Sequence, residues 1–304
     1  MASQRTLVPL HLSGNTTEEQ NKRLKECLEG LMSSMYLDAI ARLDRQSAQA
    51  VIETEEKLKI EIMAAAEEII RAHTRSDKYK DEQAPSDRTY PAKYKIRPVE
   101  AQVTELRKAF PKLGKCQEKI GRISLPDGPE GWFAIPRWQA LARSYNEAVE
   151  MLLDELVARR RFSNRIADRL GEKYLRQTER SRLAETFLDE QQPDDDILVI
   201  AAQAGMLHRG CSARRTRISL ASNEYALGVF AIGSLLLTHP ERLSTGDALM
   251  IDCGGDEYSP RADYTFDRVP LFDFDLSGIE FSIFYEDRAR NLWGTPTGFL
   301  YRIV

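Results

Sequence analysis

The sequence has no long apolar run, no closely paired cysteines, only four histidines and almost no net charge, and each shortage excludes a class of protein. The longest apolar stretch, from Ala226 to Leu237, falls short of the ~18 residues that a membrane span requires, so no membrane partner is expected. The first residues, MASQRTLVPLHLSGN, lack a charged region leading into a long apolar one and do not read as a secretory signal. Cys27, Cys116, Cys211 and Cys253 are widely separated with no CxxC. That excludes a zinc ribbon, a thioredoxin-like motif and a disulfide-stapled miniprotein, and reduced thiols in a cytoplasm are expected. GxxxxGK followed by Ser or Thr, HExxH, GxSxG and a GxGxxG after a strand are all absent. P-loop hydrolysis, zincin proteolysis and α/β-hydrolase chemistry lose their usual support, and no cofactor is expected. There is no internal repeat and no low-complexity tract.

What is present is enough for a folded protein. Of 304 residues, 42% are hydrophobic, which is compatible with a buried core and with about two domains at roughly 150 residues each. Forty-three basic residues oppose 47 acidic ones, and the formal charge of −4 argues against general affinity for polyanions.

Apolar periodicity predicts an α+β chain that is predominantly helical, with long antiparallel N-terminal helices followed by a small mixed α/β domain. Residues 1–15 read as a flexible leader. Thr16 and Glu19 form a capping box that opens a helical domain over 16–190. Within it, Leu24, Leu28, Leu31 and Met35, then Val51, Leu58, Ile62, Ala65 and Ile69, make a coiled-coil-like seam. Residues 74–96 are polar and proline-bearing and read as an exposed linker. Pro98 starts a short helix to Phe110, and residues 121–135 read as a short β-hairpin. Trp138, Leu141, Tyr145, Val149, Leu152 and Leu156 repeat at threes and fours, and this stripe is expected to cover the N-terminal seam. The pattern continues more weakly to Phe187. The acidic turn after Gln191 marks the boundary of an α+β domain over 191–304. There Arg217–Leu220 reads as a strand, 223–237 as a helix apolar nearly all round, and 248–251 as a short buried strand. Val269–Asp275 and Ile279–Tyr285 alternate around a turn and form the sharpest hairpin signal.

Three groups of residues could carry chemistry. The first is basic: Arg159, Arg160, Arg161, Arg165, Arg169, Lys173, Arg176, Arg180 and Arg182, with a second knot at Arg209, Arg214, Arg215 and Arg217. On one helix flank these cations would track a phosphate backbone or dock on an acidic partner. The segment 247–304 is the reverse, with eleven acids against five bases, so the two halves could attract each other or stack between copies. The second group is metal-ligating: His208 and Cys211 have ligand spacing, and Cys253 with Asp252 or His239 would complete a tetrahedral zinc set. Cys211 could instead be a thiol nucleophile, its pKa depressed by Arg209, Arg214 or Arg215, with His208 as base. The third is Asp252, Asp256 and Glu257 at the end of a strand, placed for acid–base work but without the glycine and glutamate positions of an EF-hand.

Three functions follow. The first is a non-enzymatic structural or interaction protein, a homo-oligomer assembled through helices whose C-terminal domain recognises a protein partner. The second is a nucleic-acid-binding accessory protein using the Arg-rich helix and the 209–217 knot. The third is a metal- or thiol-dependent enzyme built on His208, Cys211, Asp252, Asp256 and Glu257.

Overall fold

A computed structural model of the chain describes residues 79–303 except Pro126 and Ser277, together with residues 7–9, 22, 23, 25–27, 29, 30, 33, 44 and 47. The chain divides into two units, one made of Met1–Leu12 and Lys78–Val304 and the other of Ser13–Asp77. In the second unit, Lys25 and Glu29 form an i,i+4 ion pair at 3.8 Å. The leucine seam expected over 16–75 lies outside the described residues.

Local chemistry explains the helices of the larger unit. Pro98 precedes α1 (Val99–Ala109), whose Val99, Val103, Leu106 and Ala109 share one buried face. Ser144 caps α2 (Tyr145–Arg159) by accepting from the Glu147 N–H at 3.2 Å, while the Glu147 carboxylate accepts from the Arg143 N–H at 3.0 Å. Thr178 caps α3 (Glu179–Gln191), and Ser212 caps α4 (Ala213–Ser219), which therefore coils the segment expected to be a strand around Arg217. The apolar segment expected at 223–237 splits. Glu224–Ala226 joins a sheet, and α5 (Val229–Thr238) follows after Gly228.

The strands form two main sheets. In the first, β2 (Gly131–Pro136), β5 (Ile197–Gln203), β12 (Thr297–Phe299) and β6 (Glu224–Ala226) lie antiparallel in that order, with Trp132 opposite Ala201 and Gly298 opposite Tyr225. The second runs β11 (Trp293–Gly294), β7 (Met250–Asp252), β9 (Arg268–Asp275), β10 (Gly278–Tyr285), β3 (Phe162–Asn164). Alongside it, β8 (Asp256–Tyr258) pairs with β9 and with β4 (Leu175–Gln177). The β9–β10 hairpin has the expected span, with Asp275 opposite Gly278, and Gly278 takes φ +129°, a left-handed conformation that suits glycine. A separate pair joins β1 (Leu7–Pro9) to β13 (Tyr301–Ile303).

The expectation of a predominantly helical chain with long helices is corrected. The described structure is 33% helix and 23% strand, and its longest helix has fifteen residues. The described residues form a mixed α/β fold and contain no coiled-coil. The stripe from Tyr145 to Leu156 is helical and packs on α5: a Cβ on Gly233 would stand 2.4 Å from the Leu152 Cδ2 atom. Burial of each such leucine stabilises the fold by ~1.5–3 kcal/mol. The helical reading of 162–174 fails because Asn164 folds its carboxamide back onto the Ile166 and Ala167 N–H groups at 3.0 and 3.1 Å, and Ala167 takes φ +51°.

Three further boundaries differ. β2 and β5 pair across residue 191, so the sheet passes through the expected domain junction. The expected hairpin at 121–135 is a 3-10 turn (Glu118–Arg122) followed by one strand whose partner is distant in sequence. The polar segment read as a linker is anchored where it is described: Ala84 donates to Gly210 at 2.8 Å, and the Leu249 N–H donates to Thr89 at 3.0 Å.

Candidate functional site

One cleft in this unit combines an apolar lining with carboxyl chemistry. It is small, with a cavity volume of about 40 Å³, and it opens to solvent. The first sheet contributes Ile135, Leu198, Ile200 and Tyr225; α3 contributes Ser181, Glu185, Leu188 and Asp189; Trp138 and the start of α5, Gly228 to Ala231, close the remaining sides. Apolar walls with a few convergent polar groups are the usual make-up of a small-molecule site.

Glu185 is the polar group at its centre. It is half-buried, and its carboxyl oxygens accept from the Gln177 side-chain amide at 2.5 Å and the Trp138 indole N–H at 3.1 Å. Both donors are neutral. Burial pushes the Glu185 carboxyl up to about 7, the two hydrogen bonds oppose the shift, and the nearby carboxylates of Asp256 and Asp189 add to it. Both protonation states are therefore populated at neutral pH.

A second carboxyl stands behind the cleft. Asp256 is fully buried at the start of β8. Its Oδ2 accepts from the Tyr145 hydroxyl and from the Val229 N–H at the start of α5, each at 2.7 Å. Its Oδ1 has no hydrogen-bond partner. Gly228 separates this oxygen from the cleft. A Cβ there would lie 2.6 Å from Oδ1 and 2.7 Å from the Tyr145 hydroxyl, so only glycine allows the close approach. Burial pushes Asp256 up to about 7, opposed by the Val229 and Tyr145 hydrogen bonds and by Arg217. Burial also pushes the Tyr145 phenol well above its ordinary range.

The residues singled out by sequence are placed elsewhere, and mostly apart. The basic run is not a helix flank: Arg159 ends α2, the chain then passes through β3 and β4, and α3 begins at Glu179. Arg159 pairs with Glu155, Arg165 with Glu280 and Arg176 with Glu257. Arg160 donates to the Pro240 and Leu243 carbonyls, Arg169 contacts the Ile166 carbonyl, and Arg161 and Lys173 are exposed. The second knot is engaged as well. Arg209 donates to the Arg88 carbonyl, Arg214 pairs with Glu82, Arg215 donates to the Tyr79 carbonyl, and Arg217 holds the Gly254 and Asp256 carbonyls and Glu286.

The zinc set does not assemble. Among the described residues no group of three or more His, Cys, Asp or Glu side chains could hold a metal ion. His208 is hydrogen-bonded to Glu224 at 2.7 Å, and Thr297 donates to the same carboxylate. His239 accepts from the Arg97 N–H at 3.0 Å and meets the Thr238 hydroxyl at 2.9 Å. Burial pushes the Cys211 thiol up, the opposite of the activation expected from its arginines, and pushes Cys253 well above its ordinary range. Asp252 is buried and pushed up to about 8, with Arg217 and Arg290 opposing the effect.

Of the three acids expected to act together, only Asp256 lies next to the cleft, buried behind Gly228. Glu185, Trp138, Tyr225 and Gly228 were missed. Glu185 sits among other acids on a polar helix and looks like a solvated residue until β6 and Trp138 close over it. Gly228, just ahead of an apolar helix, was the one local signal.

No family model, no curated protein and no solved structure matches the chain. No helix of the described residues is long and apolar enough to cross a membrane.

Proposed function

We propose that the protein binds a small molecule in the Glu185 cleft and that Glu185 exchanges a proton with it, acting as a general acid or base. What supports this is one observation: a carboxyl in an apolar-walled cleft, held only by neutral donors and poised near 7, where both proton donation and acceptance are accessible. The test has two parts. NMR titration of the Glu185 carboxyl is expected to give a midpoint near 7. A ligand-observed NMR screen of small molecules is expected to find binders whose affinity falls about 10- to 100-fold in Glu185→Gln, the loss of a hydrogen bond to a charged group. An ordinary carboxylate midpoint near ~4.3, or binders indifferent to the substitution, overturns the reading.

A second reading is self-association through the C-terminal half, without enzymatic activity. Its support is an exposed aromatic–arginine surface, the composition enriched at interfaces. Tyr285 is 41% exposed, with the guanidinium groups of Arg268 and Arg288 3.5 and 4.4 Å from its ring and that of Arg290 3.8 Å from the Phe284 ring. Sedimentation velocity is expected to show a multimer that Tyr285→Ala with Arg288→Glu shifts toward monomer; a monomeric wild type removes this reading. For either role we place the protein in a reducing compartment such as the cytoplasm, supported by four cysteines that are all free.

A further inference from the structure

The charge around the cleft is one-sided. Glu185 lies on its wall, and the unpartnered oxygen of Asp256 lies directly behind Gly228. Among the described residues that line it, Arg137 alone is cationic, and its guanidinium is engaged. It pairs with Asp189 and donates to the carbonyls of Asp195 at 2.9 Å and Gln192 at 2.7 Å. At the positive end of α5 the Val229 N–H donates to Asp256 and the Phe230 N–H to the Tyr145 hydroxyl. An anion entering the cleft would meet the Glu185 and Asp189 carboxyls on its wall, with Asp256 behind, and no free cationic group. A purely apolar ligand would bury Glu185 further with nothing to offset its desolvation. A cation meets a carboxylate it can pair with and aromatic side chains, Trp138, Tyr225 and Phe230, whose ring faces attract positive charge.

Resting on the reading of this cleft as a ligand site, we propose that its ligand is a small organic cation, an ammonium group set against Glu185 and carried on a compact apolar body. The same juxtaposition explains why the carboxyl is kept without a partner cation of its own. An ammonium supplies the missing charge, and binding it favours the ionised form of Glu185, so that below pH 7 uptake of the ligand releases a proton. Of the groups facing Glu185, Arg137 stays charged, and the Tyr145 and Tyr225 phenols stay neutral because burial pushes them up. Burial pushes the Asp189 carboxyl up, and the Arg137 guanidinium paired with it opposes the shift. The pH dependence of binding is thus that of Glu185 together with Asp256.

Calorimetry on the full chain separates the outcomes. The probes are phenethylammonium, butylammonium and tetramethylammonium, with 2-phenylethanol as neutral isostere and phenylacetate as anion, each at pH 6 and pH 8. At least one ammonium probe is expected to bind tenfold or more tighter than 2-phenylethanol, more tightly at pH 8 than at pH 6, with proton release at pH 6 and a loss of about tenfold in Glu185→Gln. Phenylacetate is expected to be the weakest. If 2-phenylethanol or phenylacetate binds as tightly as the amines and remains sensitive to Glu185→Gln, the cation assignment falls while the ligand site stands. If no ammonium probe binds, the cation assignment also falls, and the Glu185 titration midpoint then decides whether the acid–base reading of the cleft falls with it.

Discussion

Unfolding by urea is expected to become easier as the pH rises from 4 to 8, and Asp256→Asn is expected to remove a large part of that slope. In the unfolded chain Asp256 loses its proton near its ordinary 3.8; in the folded protein it keeps it to about 7. Between those values the folded state binds more protons, so stability is fully present below about pH 4 and is lost as the pH climbs through 7. Three pH units at ~1.36 kcal/mol each make the effect of this fully buried group on the order of 4 kcal/mol. Asparagine keeps an oxygen for the Tyr145 hydroxyl and the Val229 N–H but has no proton to lose. Glu185, also pushed up to about 7, contributes a slope of the same sign, and Asp252 extends it toward 8. Groups held low, such as Glu224, act in the opposite direction, so the informative quantity is the difference between wild type and variant across pH. Parallel stability curves for the two proteins would show that Asp256 is not the buried acid described here.

Arg242→Met is expected to cost about 3–5 kcal/mol, read as a lower urea midpoint at unchanged slope. Arg242 is fully buried. Its Nε and one terminal nitrogen donate to the Ala204 carbonyl at 3.1 and 2.7 Å, the other terminal nitrogen donates to Leu249 at 2.7 Å, and the guanidinium lies 4.5 Å from the Tyr90 ring. Methionine fills much of the same volume but orphans two buried carbonyls at the ends of β5 and before β7. The neighbouring contacts depend on the same turn: Tyr90 donates to Glu130 at 2.7 Å and accepts from the Met206 N–H at 2.9 Å, while Glu130 accepts from the Ala204 N–H at 3.0 Å. Arg242→Lys keeps the charge but not the planar fork that reaches both carbonyls, and an intermediate loss is expected. A cost below 1 kcal/mol for methionine would mean that the carbonyls find other partners or water.

Several elements are legible in the sequence because their causes are local. Pro98 ahead of α1, the polar-apolar alternation of β9 and β10 around their turn, and the apolar run of α5 all have causes within a few residues of themselves. The errors share one origin. The repeat of threes and fours in 138–187 reads as one long helical region that weakens toward Phe187, although Asn164 and Ala167 turn the chain and β3 and β4 go to separate partners. The arginines of that stretch looked like a surface for a polyanion because their partners, Glu257, Glu280 and the carbonyls of 240 and 243, are some 80 to 115 residues away.

By itself the sequence determined composition-level limits, the start of α1, the hairpin and the identity of the most buried helix, because these follow from side-chain size, hydrogen-bonding groups and short-range periodicity. Tertiary structure alone decided which sheet each strand enters, that α5 packs on α2, and that Glu185 lines a cleft with Asp256 directly behind it. The reason is physical. The proton affinity of a carboxyl is set by what surrounds it in three dimensions, and the walls around these two come from segments that are neighbours only after the chain has folded.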